Sequence, residues 1–426
     1  MEPTCKTLAD INKKLQKGQA LVLTAKELKD MVRDGIRPCV EEVDVVTCAT
    51  MGVMSGTLAC LHLPITEPGK YSVAKEVYIN GVPAHPGPAP NERLGNVDCI
   101  IYGTAHSVYD NNYGGGHLFS DMVSRRPFDV EVITDTGAKY KKTLTLDEIP
   151  FARLQGTRHA FKNYNGFVNI KQKERSYSTI FYFKNMQGTD GISVAGCGEL
   201  NPLQNDPELQ TIRMGTVALV NGATGIVIGA GTRSTPKKPN LSLSADMFNM
   251  DPKYMGGFKT SAGPEILNST ALAIPVLNDH ILQKMVKYTD ENIAIPIVDI
   301  SDRLMVGEAT YADVWQNVDL RVKFNREKCI ECTIPCPVEL LCPVGAYMAA
   351  GKKWFADKCF GCGACVSLCS CRAFSAKMGK IKLGDREYPI TFRQSDRKRA
   401  IELAEIFKQK LLSGKIILSN SEIPIA

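Results

Sequence analysis

The cysteines between residues 329 and 371 have types and spacing suited to metal chemistry. The first group reads Cys329-x2-Cys332-x3-Cys336-x5-Cys342-Pro343, and the second reads Cys359-x2-Cys362-x2-Cys365-x3-Cys369. The second spacing is that of a bacterial ferredoxin, and the first is the same run with one and two extra residues in its loops. Such close spacing wraps three thiolates around one cube of iron and sulfur. The pattern therefore predicts two [4Fe–4S] clusters.

In ferredoxins of this type, the fourth cysteine of each run binds the cluster held by the other run. The predicted ligands of cluster one are Cys329, Cys332, Cys336 and Cys369, and those of cluster two are Cys342, Cys359, Cys362 and Cys365. A zinc site made from the two Cys-x2-Cys pairs is the alternative, but it leaves four thiols without a role. Ser370 stands where a proline is usual, and Cys371 is an additional thiol.

Two adjacent clusters form an electron relay. Each cluster passes one electron, so the pair can supply the two electrons of a reduction that forms a thiol. Such a relay needs an electron donor, and the rest of the chain must then provide the place where the electrons are used.

Three side chains outside this segment are candidates for that place. Cys197 stands in Gly196-Cys197-Gly198-Glu199 after a strand-like run, where we expect an accessible thiol, and Cys48 ends another such run. His117 follows the glycines of Tyr113-Gly114-Gly115-Gly116-His117, which permit positive φ and close approach of backbone to a ligand. Inert buried thiols and a plain turn before a structural histidine are the alternatives.

Short apolar runs bounded by turn residues must position these side chains. We expect strands at Val43–Cys48, Cys99–Tyr102, Val130–Thr134, Ser178–Phe183, Thr216–Val220, Gly225–Ile228 and Ile293–Val298. Capping boxes from Thr7 to Asp10 and from Thr24 to Glu27 predict two helices near the N-terminus. Helical patterns are few, and regular βαβ alternation is not evident.

The end of the chain predicts a hairpin and a helix. Runs at 380–383 and 388–392 flank Gly384-Asp385, and Ser395 is the expected cap of a helix with an apolar stripe from Ala400 to Leu411. The predicted fold is an α/β or α+β large domain (1–320) with an inserted bacterial-type 2[4Fe–4S] ferredoxin module (321–375). Residues 376–426 are expected to return to the large domain.

Composition excludes several classes of protein. A formal net charge of +6, spread over 426 residues, does not indicate a nucleic-acid partner. No apolar stretch approaches the ~18 residues of a membrane span. The first thirteen residues lack the apolar segment of a signal peptide, so we expect a cytoplasmic protein. The oligomeric state cannot be predicted from these features.

The large domain resembles a known family. Val43–Cys48, Tyr113–His117, Gly196–Pro207 and Tyr311–Asp313 resemble the homocysteine-biosynthesis, sulfur-incorporating superfamily of archaea and bacteria. The tail from Ser395 to Gly414 is similar to the C-terminal helix of that superfamily. Its version with a built-in ferredoxin resembles the methanogenesis marker 16 family of metalloproteins.

The resemblance implies that a small aldehyde such as aspartate semialdehyde takes up sulfur from a donor and is reduced to a thiol. On that basis we predict Cys197 as sulfur carrier, Cys48 as second thiol and His117 as acid/base, converging on one cavity that faces the clusters. The family pattern expects further cysteines at two positions, where this chain has Ser55 and a residue near Tyr140.

A second hypothesis is that the chain is not an enzyme. It would then transfer electrons or assist assembly in methanogenesis, with the large domain as a docking surface. A shared cavity for the three candidate side chains favours catalysis, whereas scattered positions and a broad apolar patch favour docking.

Overall fold

The structure is a computed structural model that describes residues 5–87, 90–162, 164–330, 334–419 and 423–425. Cys332, one of the predicted cluster ligands, lies outside the described residues. In these ranges no helix combines the length and the apolar character that a membrane crossing requires.

Strands make up most of the regular structure. They are β1 (Leu21–Thr24), β2 (Val43–Val53), β3 (Thr57–Pro64), β4 (Ala74–Ile79), β5 (Val82–Pro86), β6 (Asn96–Tyr102), β7 (Phe128–Thr134), β8 (Lys139–Leu144), β9 (Phe151–Phe161), β10 (Gly166–Val168), β11 (Ile192–Val194), β12 (Val217–Val220), β13 (Ala223–Ala230), β14 (Asn240–Asp246), β15 (Gly256–Thr260), β16 (Gly263–Pro275), β17 (Ala294–Asp299), β18 (Met305–Thr310), β19 (Lys323–Phe324), β20 (Tyr347–Met348), β21 (Lys353–Trp354), β22 (Phe374–Ser375), β23 (Lys380–Leu383) and β24 (Arg386–Arg393).

The helices are short except for the last. They are α1 (Leu8–Gln16), α2 (Ala25–Arg33), α3 (Gly115–Val123), α4 (Pro202–Asn205), α5 (Asp279–Lys287), α6 (Tyr311–Trp315), α7 (Pro337–Leu341), α8 (Ala364–Leu368) and α9 (Arg397–Leu412). Thr7 and Thr24 form the predicted capping boxes of α1 and α2. The chain is thus a mixed α/β protein, as predicted, but with more strands than the sequence suggested.

One large, mainly antiparallel sheet carries most of the chain. Its strand order is β1-β2-β16-β12-β13-β14-β9-β3-β6-β5-β4-β7-β8, with β15 added on β16. Strands β2 and β16 pair over a long register from Leu267 opposite Val53 to Pro275 opposite Val45. Nearly every residue of β2 is buried, because this strand lies inside the sheet and α9 packs on it.

Helix α9 covers β1, β2 and β16. Its apolar residues Ala400, Leu403, Phe407 and Leu411 are fully buried in a cluster with residues of these strands. The expected cap Ser395 is wrong by one residue, since the Asp396 carboxylate accepts the hydrogen bond of the Arg399 N–H at 2.9 Å. Ser395 is used instead in the wall of a cavity described below.

A second sheet joins residues from both sides of the cysteine-rich segment. Its order is β18-β17-β10-β11-β24-β23, and β24 pairs in parallel with β11. The predicted hairpin of β23 and β24 is present, with Gly384 at φ 58° in its turn. Chain on both sides of residues 321–375 thus belongs to one sheet, while the predicted domain boundaries themselves stay a prediction.

The strand expected at Ser178–Phe183 is wrong. This segment forms turns, and Phe181, Tyr182 and Phe183 insert their rings into an aromatic cluster. Its backbone is held by a loop instead of a ladder: the Thr179 N–H donates to Ser261 Oγ at 2.9 Å, and the Ser261 N–H donates to the Tyr182 carbonyl at 3.0 Å. An apolar run can therefore be buried without strand pairing when side chains and loops satisfy its polar groups.

The cysteine-rich segment contains two short pairings, β19 with β22 and β20 with β21. Cys342 is the C-cap of α7 and Cys369 is the C-cap of α8, so the last cysteine of each run directly follows a short helix. An aromatic group packs between these elements and includes Phe324, Tyr347 and Phe374.

Candidate functional site

A cavity of about 810 Å³ lies where the two sheets meet. Its wall contains the end of β2 and the loop after it (52–55), the turns at 178–181, the loop at 195–198, and Gln394 with Ser395. Ser395 forms an isolated bridge with Gly52, and the Val53 N–H donates to the Gln394 carbonyl at 3.2 Å. The segment that follows β24 therefore closes one side of the cavity.

The loop of Cys197 is held tightly in this wall. Gly196 has φ 111°, and a Cβ at that position would lie 2.2 Å from Tyr311 Oη. The Gly196 N–H donates to Ser395 Oγ at 2.7 Å, and Trp315 Nε1 donates to the Gly196 carbonyl at 3.1 Å. Glycine is thus required at position 196 for both its conformation and its space.

We expected an accessible thiol at Cys197, but the structure buries it. Cys197 is among the lining residues of the cavity, but its side chain is fully buried. Its Sγ lies 3.7 Å from the Met51 carbonyl oxygen, and burial raises the pKa of the thiol. The residue contributes to the wall while its sulfur is held in the interior, in the protonated form.

Cys48 and His117 are not among the residues that line this cavity. Cys48 is fully buried inside β2, where burial raises the pKa of its thiol. The expected convergence of Cys48, His117 and Cys197 is therefore wrong in this structure. The reason is that β2 carries Cys48 into the packed interior beneath α9.

The glycines before His117 form no turn with positive φ. Gly114 is the extended N-cap of α3, and Gly115 and Gly116 begin the helix. Their function is close packing, because a Cβ on Gly115 would lie 2.3 Å from the Tyr102 carbonyl oxygen. His117 Nδ1 accepts the Gly114 N–H at 3.3 Å, and burial lowers the pKa of the imidazole to about 4. The neutral ring is thus a structural cap.

A polar pair that the sequence did not single out lies in the cavity. Glu265 on β16 and Ser55 after β2 both line it. The Glu265 side chain is 6% exposed, its Oε2 has no hydrogen-bond partner among the described residues, and burial raises its pKa. The hydrogen bond from Ser55 and the charge of Arg158 act in the opposite direction. Burial of this kind favours the protonated form of the carboxyl, which can donate a proton.

The family pattern pointed to position 55, where it expects a cysteine and this chain has Ser55. Glu265 lies more than two hundred residues away and shares no motif with Ser55. The antiparallel pairing of β2 with β16 brings the two together, and that pairing cannot be read from local spacing.

Three of the predicted ligands of cluster one line a second cavity of about 350 Å³. These are Cys329, Cys336 and Cys369, and Cys371 is part of the same wall. Tyr347 Oη lies 3.2 Å from Cys329 Sγ. The three thiols thus border one cavity.

The predicted ligands of cluster two form a separate group. Burial raises the pKa of Cys362 well above its usual value, and the charges of Cys342, Cys365 and Cys359 raise it further because these thiols are near. Backbone N–H groups point at two sulfurs, from Ala346 to Cys342 at 3.3 Å and from Gly361 to Cys359 at 3.4 Å. N–H donors of this kind stabilise cluster thiolates.

Within the described ranges, no three or more cysteine, histidine, aspartate or glutamate side chains are close enough to hold a single metal ion. The chemistry of the donor set is that of a cluster, since soft thiolates in two groups are what iron–sulfur cubes require. The residues present fit such a group, and their role as ligands stays a prediction.

The second thiol group lies against the wall of the first cavity. The backbone N–H of Arg393 donates to the Cys362 carbonyl at 2.8 Å, and the next residue, Gln394, lines the cavity. Phe360 stacks edge-on against Phe258 at 5.2 Å in the same apolar cluster as Cys362. The cysteine-rich segment is therefore packed on the body that holds the cavity.

Comparisons with known proteins give consistent relatives. The chain is 44% identical to an uncharacterized protein of Methanothermobacter thermautotrophicus, over 96% of this chain and 94% of that protein. It is 41% identical to an uncharacterized protein of Methanocaldococcus jannaschii, over 92% and 98%. It is 29% identical to the L-aspartate semialdehyde sulfurtransferase of the latter organism, over 72% of this chain and 62% of that enzyme.

No solved structure gives a significant match. The family model described as homocysteine biosynthesis enzyme, sulfur-incorporation, matches residues 20–418. Since this match covers nearly all of the chain, including the cavity wall and the cysteine-rich segment, the chain belongs to the homocysteine biosynthesis, sulfur-incorporation family.

Proposed function

We propose that the chain incorporates sulfur into a small aldehyde in the 810 Å³ cavity and reduces the adduct with electrons from two [4Fe–4S] clusters. The observation that carries this proposal is the hydrogen bond between Arg393 and Cys362, which joins a predicted cluster ligand to the strand whose next residue lines the cavity. The sulfurtransferase relatives support the sulfur chemistry.

The proposed ligands are those of the crossed ferredoxin pattern. Cluster one takes Cys329, Cys332, Cys336 and Cys369, and cluster two takes Cys342, Cys359, Cys362 and Cys365. Clusters bound there would supply one electron each. This inserted ferredoxin module, and with it the resemblance to the methanogenesis marker 16 branch, is part of the proposal.

The overall reaction balances with sulfide as the sulfur donor. The aldehyde and hydrogen sulfide condense with loss of water, so that the carbon–oxygen double bond is replaced by the carbon–sulfur double bond of a thioaldehyde. Two electrons and two protons then reduce that double bond, which converts the thioaldehyde to a primary thiol. The electrons come ultimately from an external donor that reduces the clusters.

The cavity offers proton chemistry but no exposed thiol in the described residues. Glu265 is the group we assign to proton transfer, because its carboxyl is buried, has a raised pKa and faces the cavity beside Ser55. A protonated carboxyl can donate to the aldehyde oxygen as it leaves as water. Free sulfide is the favoured donor, since the Cys197 thiol is fully buried and a persulfide on it would first require movement of a tightly bonded loop.

A variant of Glu265 tests this assignment. Anaerobically prepared protein is assayed with sulfide, a low-potential reductant and aldehydes that include L-aspartate semialdehyde, and the thiol product is measured. Glu265→Gln keeps the size of the side chain and one acceptor oxygen but removes proton exchange, so we expect a loss of about 10²-fold or more in rate. Glu308→Gln, at an exposed position on β18, is the matched control.

The proposal is supported if wild type and Glu308→Gln form thiol and Glu265→Gln does not, while the iron content of Glu265→Gln is unchanged. Equal rates in the two variants would refute the role of Glu265. Absence of thiol from every aldehyde, in protein that holds its iron, would favour the electron-transfer hypothesis.

A further inference from the structure

A recess opens from the main cavity and is lined by positive charges. Its volume is about 180 Å³, and its cations are Arg158, Lys162, Arg233, Lys238 and Arg303. No carboxylate side chain is part of its lining. Four of the five cations, all but Lys238, also line the main cavity, so the recess is continuous with the site where we place the reaction.

None of these five cations forms an ion pair in the described part of the chain. Arg233, Lys238 and Arg303 are exposed to solvent, and Arg158 and Lys162 are half-buried. Arginines deeper in the protein pair with carboxylates: Arg321 lies 2.8 Å from that of Asp396, and Arg397 lies 2.6 Å from that of Asp290. Nε of Arg158 is buried and has no hydrogen-bond partner among the described residues. The recess thus contains one buried donor, Arg158 Nε, that no described residue uses.

Two of the arginines have left-handed backbone, and the side chain of one of them lies over aromatic rings. Arg233 and Arg303 both have left-handed backbone, at φ 67° and 63°. The Arg303 guanidinium also lies 4.4 Å from the ring centroid of Phe181 and 5.1 Å from that of Phe167. Left-handed backbone at a residue with a side chain costs of order 1 kcal/mol and persists only where the surroundings impose it.

Three of the five charges lie near Tyr164. Arg303, Arg158 and Arg233 are all near enough to the Tyr164 hydroxyl to lower its pKa, although burial, the largest effect, raises that pKa overall. Like charges brought together in a partly enclosed space repel one another, and this repulsion is relieved when an anion binds between them. The planar fork of arginine donors suits the oxygens of a carboxylate or phosphate.

We propose that this recess binds an anionic oxygen group at the far end of the sulfur acceptor. The acceptor is then an aldehyde whose other end carries a carboxylate or phosphate, with no ammonium group. Five cations against the single carboxyl of Glu265 would disfavour a zwitterionic amino acid aldehyde. The identity of the aldehyde rests on the proposed function, whereas the anion site does not.

Inorganic phosphate is the probe, with binding to the iron-loaded chain measured by calorimetry at low salt. We expect saturable binding to wild type that weakens as salt is added, because screening reduces the attraction. Arg233→Gln should weaken binding about tenfold or more. Arg233→Lys keeps the charge but not the planar fork of donors, so its phosphate affinity should lie between those of wild type and Arg233→Gln. The matched control is Lys382→Gln, at an exposed position.

The comparison requires that Arg233→Gln has the iron content and melting temperature of wild type. If it does not, Arg158→Gln is used in its place. Equal phosphate affinity in wild type and in the arginine variant, or no binding to wild type, would overturn the proposal. Phosphate binding without thiol formation would leave the anion site standing and refute the proposed reaction. Thiol formation from L-aspartate semialdehyde without phosphate binding would support the proposed reaction and refute the anion site.

Discussion

The backbone N–H of Arg393 donates a hydrogen bond to the carbonyl of Cys362 at 2.8 Å. Cys362 belongs to the predicted ligands of cluster two, and Arg393 is the last residue of β24, directly before Gln394 in the cavity wall. One hydrogen bond thus connects the two parts of the proposed mechanism. Under the proposed function, this contact places the backbone of a cluster ligand beside the cavity wall.

Exchange of Cys369 for serine should remove cluster one and leave cluster two. Cys369 follows α8 in the second run but lines the cavity of Cys329 and Cys336. We expect about eight irons per chain in wild type and about four in Cys369→Ser, as one lost four-iron cluster requires. Iron analysis and electron paramagnetic resonance measure this result.

Cys371→Ser is the control for that variant, since Cys371 lines the same cavity and is not a predicted ligand. It should keep about eight irons. Loss of iron in Cys371→Ser together with full iron in Cys369→Ser would show that the ligand assignment is wrong.

Gly196→Ala should lower the melting temperature more than Gly229→Ala. Both glycines have positive φ, at 111° and 144°, so both substitutions strain the backbone. Only the Cβ at 196 would clash, 2.2 Å from Tyr311 Oη, whereas a Cβ at 229 meets nothing within 4 Å. The difference between the two melting temperatures isolates the clash, which should cost about 1–3 kcal/mol. Equal melting temperatures would contradict the packing described for the Cys197 loop.

His117 should make stability fall in mild acid. Burial lowers its pKa from 6.5 to about 4, so the unfolded chain binds a proton more readily than the folded chain between these values. The stability contributed by the neutral ring is complete above pH 6.5 and decreases as pH falls toward 4, by roughly 3 kcal/mol in total.

The comparison variant is His117→Asn, which removes the titrating group. The difference in melting temperature between wild type and His117→Asn should change between about pH 7 and about pH 5 in favour of the variant at the lower pH. Acid effects on the clusters are common to both proteins and cancel in this difference. A difference that is independent of pH would show that His117 is not buried as a neutral ring.

Local patterns predicted local structure well. Thr7 and Thr24 signalled their capping boxes, and Gly384 signalled its hairpin, because these features depend on residues a few positions apart. Ser178–Phe183 was mistaken for a strand because an apolar run does not show whether its backbone will find a partner strand.

The site was harder to predict than the fold. Cys197 was found through its glycines, but nothing local indicated that its sulfur would point toward the Met51 carbonyl. Arg158, Arg233 and Arg303 belong to no motif. Arg158 and Arg233 come from the large sheet and the turn after β13, whereas Arg303 lies between β17 and β18 of the second sheet, so only the meeting of the two sheets brings the three to one recess. The cysteine spacing carried most of the chemical information because cluster ligands must be close in sequence to wrap a cube.

A single-turnover experiment tests the central claim most directly. The clusters are reduced anaerobically, excess reductant is removed, and the protein is mixed with sulfide and a carboxylate-bearing aldehyde while cluster absorbance and thiol product are followed. Two clusters that lose one electron each should yield about one thiol per chain, with reoxidation and thiol formation at the same rate. Clusters that stay reduced while thiol forms, or that reoxidise without thiol, would contradict the account.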